Sequence, residues 1–265
     1  MENKGVDNSL KFSLVYDPNE KIYQVKEKKK EDKVNNSSIE KETNIIQKRR
    51  KKIIQFVSKR YNIICYIILA LIVFLAVKIR LLPMKINSIT GKPGLWDITT
   101  DSWTLGPDLD PFLFLRWSEY IIKNGQLYNI DPMRYVPLGY ITEADRFLLH
   151  PYLMAWFHKI AVLFGSESVT YSAIIYPVFM FALTVIAFFL FTRKIFIDSL
   201  GEKKSNAIAL IASFFLTIFP IFISKTIAGI PEKESAAFLF MFLAFYFFLS
   251  AWKSKNIKSG ISFSI

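Results

Sequence analysis

Apolar positions are sparse over the first sixty residues and dominate from Tyr61 onward. Four uncharged apolar stretches follow, at residues 61–77, 169–192, 207–223 and 235–252. At about 1.5 Å of rise per helical residue, each is long enough, or nearly so, to cross a hydrocarbon core of roughly 30 Å. The first and third are slightly short, and Arg60, Lys78 and Arg80 are expected to snorkel from the ends of the first. A fifth stretch, 148–164, contains His150, Pro151, His158 and Lys159. Burying such groups in lipid without partners is expensive, so this stretch reads as a helix in or near the interface, with both histidines as interfacial polar residues. The pattern predicts an all-α polytopic membrane protein with about four spans.

Charge sharpens the picture. The net charge is +12 in a chain with 25 Phe, a combination that one soluble core does not accommodate. The two properties are segregated. Residues 1–60 hold Lys28, Lys29, Lys30 and the run from Lys48 to Lys52, among too few apolar positions to offset ordering entropy. They read as a disordered basic tail. A nucleic-acid arm and a cytoplasmic tail drawn to anionic lipid are the two readings, and the span that follows favours the tail with membrane lipid as partner and no nucleic acid. No small-residue cleavage site follows the first apolar run, so no cleavable signal peptide is expected. The lone Cys65 lies inside that run and is silent about redox compartment.

Loop charges set a direction. Basic residues precede the first span, and Arg193, Lys194, Lys203 and Lys204 separate the second from the third. Lys253, Lys255 and Lys258 fall in the 253–265 segment. All are expected on the cytoplasmic side. Residues 81–150 carry eight Asp and Glu against six Lys and Arg and are expected outside, in a large first external loop spanning 81–168. Two spans then separate Asp108-Leu109-Asp110 from Glu232-Lys233-Glu234, so both acidic motifs should emerge on the external face.

Within the large loop, Asp110 is expected to cap a helix, with Pro111 in its first position and Asn124-Gly125 at its end. Phe112, Leu115, Trp117, Tyr120 and Ile121 would give that helix a membrane-facing side. Asp108 and Asp110 are also hard oxygen ligands suited to Mg²⁺ or Mn²⁺. An N-cap leaves one carboxylate oxygen free, so the roles are compatible. Pro231 marks a second helix start, where an acid is favoured by the helix dipole. Glu232 and Glu234 can serve one site together only if residues 229–234 are partly extended, because residues two apart do not share a helix face. The Phe-rich run 238–248 reads as lipid-facing or packed against other spans.

At these residues the sequence resembles the catalytic subunit of oligosaccharyltransferase, of archaeal type. Leu109-Asp110-Pro111-Phe112-Leu113-Phe114-Leu115-Arg116 is similar to the family's first acidic motif, with Asp108 completing a DxD. Tyr135-Val136-Pro137-Leu138-Gly139 is similar to its Tyr-Pro-Leu-Gly segment, and Ala228-Gly229-Ile230-Pro231-Glu232-Lys233-Glu234 to its second acidic motif. Glu232 stands where Asp is usual. The resemblance covers residues 61–252 and implies the N-terminal portion of a GT-C-type transmembrane bundle. It implies Asp110 and Glu232 as catalytic metal ligands for Mn²⁺ or Mg²⁺, with Glu234 and Asp108 as supporting acids. Arg116 matches a family position to which the residues alone give no role. The family's WWDYG motif is not in these 265 residues, which therefore resemble a fragment or one half of a split enzyme.

The implied reaction moves an oligosaccharide from a polyprenyl (dolichyl) phosphate or diphosphate to Asn of an Asn-x-Ser/Thr acceptor polypeptide. A related polyprenyl-phosphate-sugar transferase using its acids as bases without metal is one alternative. A non-catalytic membrane subunit is another, although acids within spans or an internal repeat, which a transporter would need, are missing here.

Overall fold

The computed structural model describes residues 12–17, 22–27, 47–50, 55, 60–145, 147–166 and 168–254. The chain divides into two units, residues 1–61 and 62–265. In the first, β1 (Phe12–Asp17) and β2 (Ile22–Glu27) form an antiparallel hairpin with Leu14 opposite Val25. This differs from the unstructured tail expected there. The alternating Phe12, Leu14 and Tyr16 pattern is strand-like and sits in the least charged part of the tail. Of the basic clusters, Lys48, Arg49 and Arg50 are helical and exposed, whereas Lys28–Lys30, Lys51 and Lys52 lie outside the described residues.

The second unit is built from helices. The uncharged run after Arg60 forms α1 (Tyr61–Arg80). Arg80, expected to snorkel, instead turns inward and is fully buried, because the bundle supplies acceptors for its guanidinium. Two short ribbons follow, β3 (Trp96–Asp97) with β4 (Ser102–Trp103) and, further on, β5 (Ile130–Asp131) with β6 (Tyr140–Ile141). Between the ribbons lies α2 (Leu109–Asn124), which ends where expected, at Gly125 in the left-handed region.

The start of α2 corrects the expectation. Asp108, not Asp110, is the N-cap: its backbone is extended and its carboxylate accepts the N–H of Leu109. Asp110 and Pro111 lie inside the first turn, where N–H groups have no intrahelical partner, so proline removes nothing the helix needs. The side expected to face the membrane is covered in part: Trp117 and Ile121 are buried, Leu115 and Tyr120 half-buried, and Phe112 exposed. Trp117 and Ile121 pack with Leu127 and Ala155 in one buried cluster against α3 (Leu149–Leu163). Burying the Ile121 side chain contributes roughly 1.5–3 kcal/mol. α3 has fifteen residues, about 22 Å at helical rise, too short to cross the hydrocarbon core.

The apolar runs at 169–192 and 207–223 fall in one continuous assignment, α4 (Val169–Ile218), broken at Gly201 with φ 75° and ψ 169°. The two arms fold back on each other: Arg193 Nε donates to Asn206 Oδ1 at 2.7 Å, whereas thirteen residues of straight helix would separate them by about 20 Å. The charged residues expected as a connecting loop extend the helices on either side of the turn, since Lys, Arg and Glu are good helix formers. The second arm stops at Ile218, short of the expected 223. Pro220 opens a separate turn of helix, α5 (Pro220–Ser224).

The last helix, α6 (Lys233–Trp252), runs parallel to the first arm of α4. Phe188 meets Phe242 at 4.8 Å between ring centroids, Phe191 meets Phe245 at 5.6 Å, and Lys253 Nζ donates to the Lys194 carbonyl at 2.7 Å. Phe238 packs on Phe222. The spacing of Phe238, Phe242 and Phe245 puts them on one face, although Phe245, like Phe240, Phe247 and Phe248, remains exposed. α1, α4 and α6 are long and apolar enough to cross a membrane. Their order puts Arg193, Lys194 and Lys253 at one end of the bundle and Arg80, Val169 and Glu232 at the other.

Candidate functional site

Two loops meet at that second end. One descends from β4 through Gly106 to Asp108; the other climbs from α5 through Gly229 to Glu232. The Gly106 N–H donates to the Gly229 carbonyl at 2.8 Å. Gly229 has φ +88°, and a Cβ there would stand 2.6 Å from Leu95 Cδ1 and 3.2 Å from the Gly106 nitrogen. Only glycine fits both the backbone angle and the close approach.

The loops bring their acids together. Glu232 has extended geometry at the N-cap of α6, and Glu234 lies in the first turn, so residues 229–234 are partly extended as joint use of both acids requires. The carboxyls of Asp108 and Glu232 share a hydrogen bond. Glu232 is only 4% exposed. Burial pushes its pKa up to about 7, opposed by the Lys225 ammonium and reinforced by Glu234 and Asp108. Asp108 is held below the ordinary carboxylate range, chiefly by the hydrogen bond from Glu232.

Two lysines complete the cluster. Lys225 Nζ lies 2.8 Å from Glu232 Oε1. Lys233 Nζ lies 3.5 Å from Asp110 Oδ2 and 4.0 Å from Glu234 Oε1. Asp110 is thus joined to the second motif through Lys233, and its side chain keeps 59% of its exposure. Among the described residues, no three His, Cys, Asp or Glu side chains converge on one ion. The donor chemistry nevertheless suits a hard divalent cation. Glu234 Oε2 is buried with no hydrogen-bond partner, and beside it Glu232 is a buried carboxyl whose Oε1 meets Lys225.

Several neighbours escaped the sequence reading. His150 is buried, not interfacial: its Nε2 lies 3.0 Å from the Pro231 carbonyl, and its ring stands edge-on to Phe114 and Tyr176. α3 packs on protein here, which buries the ring and gives Nε2 its partner. Burial lowers the His150 pKa to about 4, with the Pro231 carbonyl opposing, so the ring is neutral. Its Nδ1 has no hydrogen-bond partner. His158, likewise buried, bonds Ser172 Oγ at 2.8 Å.

Arg116 acquires a role. Its guanidinium forms a two-point ion pair with Asp131, with 2.7 Å from Nη1 to Oδ1. Asp131 is fully buried and also accepts from Trp117 Nε1 at 2.9 Å and the Met133 N–H at 3.0 Å. This pins the β5–β6 ribbon to α2, two turns from Asp108. A lone Asp-Pro pair in a loop gives no signal of such a partner, because the contact is long-range.

A protein-family model for the N-terminal part of the oligosaccharyl transferase STT3 matches residues 99–265. A search by sequence returns no similar curated protein. Solved structures share the fold. The oligosaccharyltransferase of Archaeoglobus fulgidus in complex with Zn and sulfate aligns with a TM-score of 0.53 at 24% identity, over 74% of this chain and 23% of that one. The AglB oligosaccharyltransferase of the same organism, in complex with an inhibitory peptide and a dolichol-phosphate, aligns with a TM-score of 0.55 at 22% identity, over 78% and 22%. The A. fulgidus enzyme tethered to an acceptor peptide containing the NVT sequon gives 0.56 and 21%, again over 78% and 22%. The chain therefore spans about a quarter of the length of these solved proteins. With the family model covering well over half of the sequence and both acidic motifs inside it, the chain belongs to the oligosaccharyl transferase STT3 N-terminal family.

Proposed function

We propose that this chain forms the N-terminal part of a metal-dependent oligosaccharyltransferase, transferring an oligosaccharide from a polyprenyl phosphate or diphosphate to Asn in Asn-x-Ser/Thr. The observation that carries this reading is the meeting of the two acidic motifs, with Glu232 buried beside Asp108 and Glu234 Oε2 left without a partner. The bound dolichol-phosphate, peptide and Zn of the A. fulgidus structures support the substrate and metal classes. The basic turn at Gly201 and the tail before α1 support a cytoplasmic N-terminus, with the acids on the external face of the cell membrane.

Asp110, Glu232, Glu234 and Asp108 are the residues that would hold Mn²⁺ or Mg²⁺. The cation would stabilise negative charge gathering on the phosphate leaving group. An amide nitrogen is a poor nucleophile because its lone pair is delocalised into the carbonyl. Asp110, with its exposed carboxylate, accepts a hydrogen bond from the acceptor amide and weakens that delocalisation. As the bond from nitrogen to the anomeric carbon forms, the bond from that carbon to the phosphate oxygen breaks. Its electron pair leaves on the phosphate, and the amide proton passes to Asp110. Lys225 and Lys233 add positive charge where the phosphate departs.

The test is sequon-peptide glycosylation by the full-length protein in membranes, with added Mn²⁺ or Mg²⁺ and with chelator. Asp110→Ala and Glu232→Ala should each lower turnover at least a hundredfold, and chelation should abolish it. Full activity of Asp110→Ala with metal bound would sink the assignment. Activity indifferent to chelator, with a hydroxyl acceptor, would favour the related metal-free transferases.

A further inference from the structure

The loop that carries Glu232 needs something to hold it at its height above the bundle. The side chain placed to do so is Arg80, which the site's chemistry does not use. It is 0% exposed at the end of a helix long and apolar enough to cross a membrane, where a charged group is expensive unless partners engage it, and of its nitrogens only Nη2 has no hydrogen-bond partner. Its Nε donates to Thr226 Oγ1 at 2.7 Å, and its Nη1 to the Thr217 carbonyl at 3.1 Å and the Ala76 carbonyl at 3.3 Å. The guanidinium carbon lies 3.3 Å from the centroid of the Phe181 ring. One planar head thus touches α1, both arms of α4 and the base of the loop. Lysine cannot copy this, because it has a single point charge and no fork.

The connection runs on to the acids. The Arg80 carbonyl accepts the Ala228 N–H at 3.0 Å, Gly229 donates to Ile174 O at 3.1 Å, and the Gly229 carbonyl accepts the Gly106 N–H. Glu232 follows three residues later. We propose that Arg80 is a positioning residue that sets the 226–232 loop against the 106–108 loop, and so fixes the distance between the two acidic motifs. Its catalytic meaning rests on the function proposed above; its structural claim does not.

A cross-link reads the positioning directly. A Cβ on Gly106 would stand 3.1 Å from Ile230 Cγ1, within range of a disulfide. In the full-length protein in membranes, with Cys65→Ser, the pair Gly106→Cys and Ile230→Cys should oxidise readily. Adding Arg80→Lys should slow the bond at least tenfold. Thr226→Val, which removes the loop-side acceptor of Arg80 together with its hydrogen bond to the Phe222 carbonyl, should do the same, and Thr226→Ser, which keeps both, should restore the parent rate. Parent-rate cross-linking in both Arg80→Lys and Thr226→Val overturns the proposal, as does a parent pair that fails to cross-link. If Arg80→Lys does not fold, Thr226→Val decides alone. Mn²⁺ affinity separates the two claims. If Asp110→Ala with Glu232→Ala leaves it unchanged while Thr226→Val still slows the cross-link, the metal-dependent reading falls and the positioning role stands.

Discussion

Gly106 and Gly229 touch backbone to backbone, and that 2.8 Å hydrogen bond joins the loops that carry the two acidic motifs. Gly229→Ala would force an L side chain into φ +88° with a Cβ 2.6 Å from Leu95 Cδ1. The backbone strain alone costs about 1–3 kcal/mol. The variant should lower the thermal midpoint of the detergent-solubilised protein and reduce sequon glycosylation more than tenfold. Gly106→Ala meets only Ile230 Cγ1 at 3.1 Å and the Gly229 carbonyl at 3.3 Å, and should be milder on both measurements.

The Arg116–Asp131 pair should respond asymmetrically to truncation. Asp131 is fully buried, whereas the Arg116 side chain keeps 29% of its exposure and can turn to water. Arg116→Ala strands a buried carboxylate and should cost about 3–5 kcal/mol. Asp131→Asn keeps one acceptor oxygen, enough for either Trp117 Nε1 or the Met133 N–H, and leaves no buried charge, so it should cost less. Chemical denaturation of the two variants side by side checks the order.

His150 predicts an acid sensitivity. Its folded pKa of about 4 lies below the ordinary value of 6.5. Between those values the unfolded chain takes up a proton that the folded chain refuses. The stabilisation is complete above about pH 6.5 and is lost as pH falls toward 4, by an amount on the order of 3 kcal/mol. Thermal midpoints measured from pH 7 to pH 4 should therefore decline, and His150→Gln should flatten the curve. A variant that keeps the full decline would assign it to other groups.

Gly201 isolates a purely conformational cost. Its φ of 75° and ψ of 169° lie in a region essentially reserved for glycine, yet an added Cβ meets nothing within 4 Å. Gly201→Ala should cost about 1–3 kcal/mol from the backbone alone. Gly201→Asn should not rescue it, because asparagine favours a different left-handed region. Protease cleavage between the arms of α4 should rise equally in both variants.

The apolar rods were legible because lipid-compatible runs of this length have few other solutions, and Gly125 was legible because a left-handed cap favours glycine. That the two motifs lie at the same end of the bundle could be anticipated from span parity, and the resemblance implied that they share a site. What resisted reading were contacts made across long stretches of chain. Arg80 looks from sequence like any basic residue flanking a span, and nothing local reveals that Thr217 and Thr226 wait for it. His150 reads as interfacial until α3 is seen lying over Pro231. The cap of α2 was displaced by two residues because Asp108 and Asp110 are chemically equivalent candidates, and the proline tolerates any position in the first turn. At the turn between the arms of α4, charge suggested a loop where helix-forming lysines and glutamate instead prolong the rods.

The bridge from Lys233 to Asp110 joins residues 123 positions apart, with both arms of α4 between them. During synthesis, the first acids leave the ribosome long before their counterparts exist, and the intervening hairpin must enter the bilayer before the second set can arrive. The two motifs consequently cannot meet in a partly inserted chain, and threading of the intervening hairpin sets when they come together.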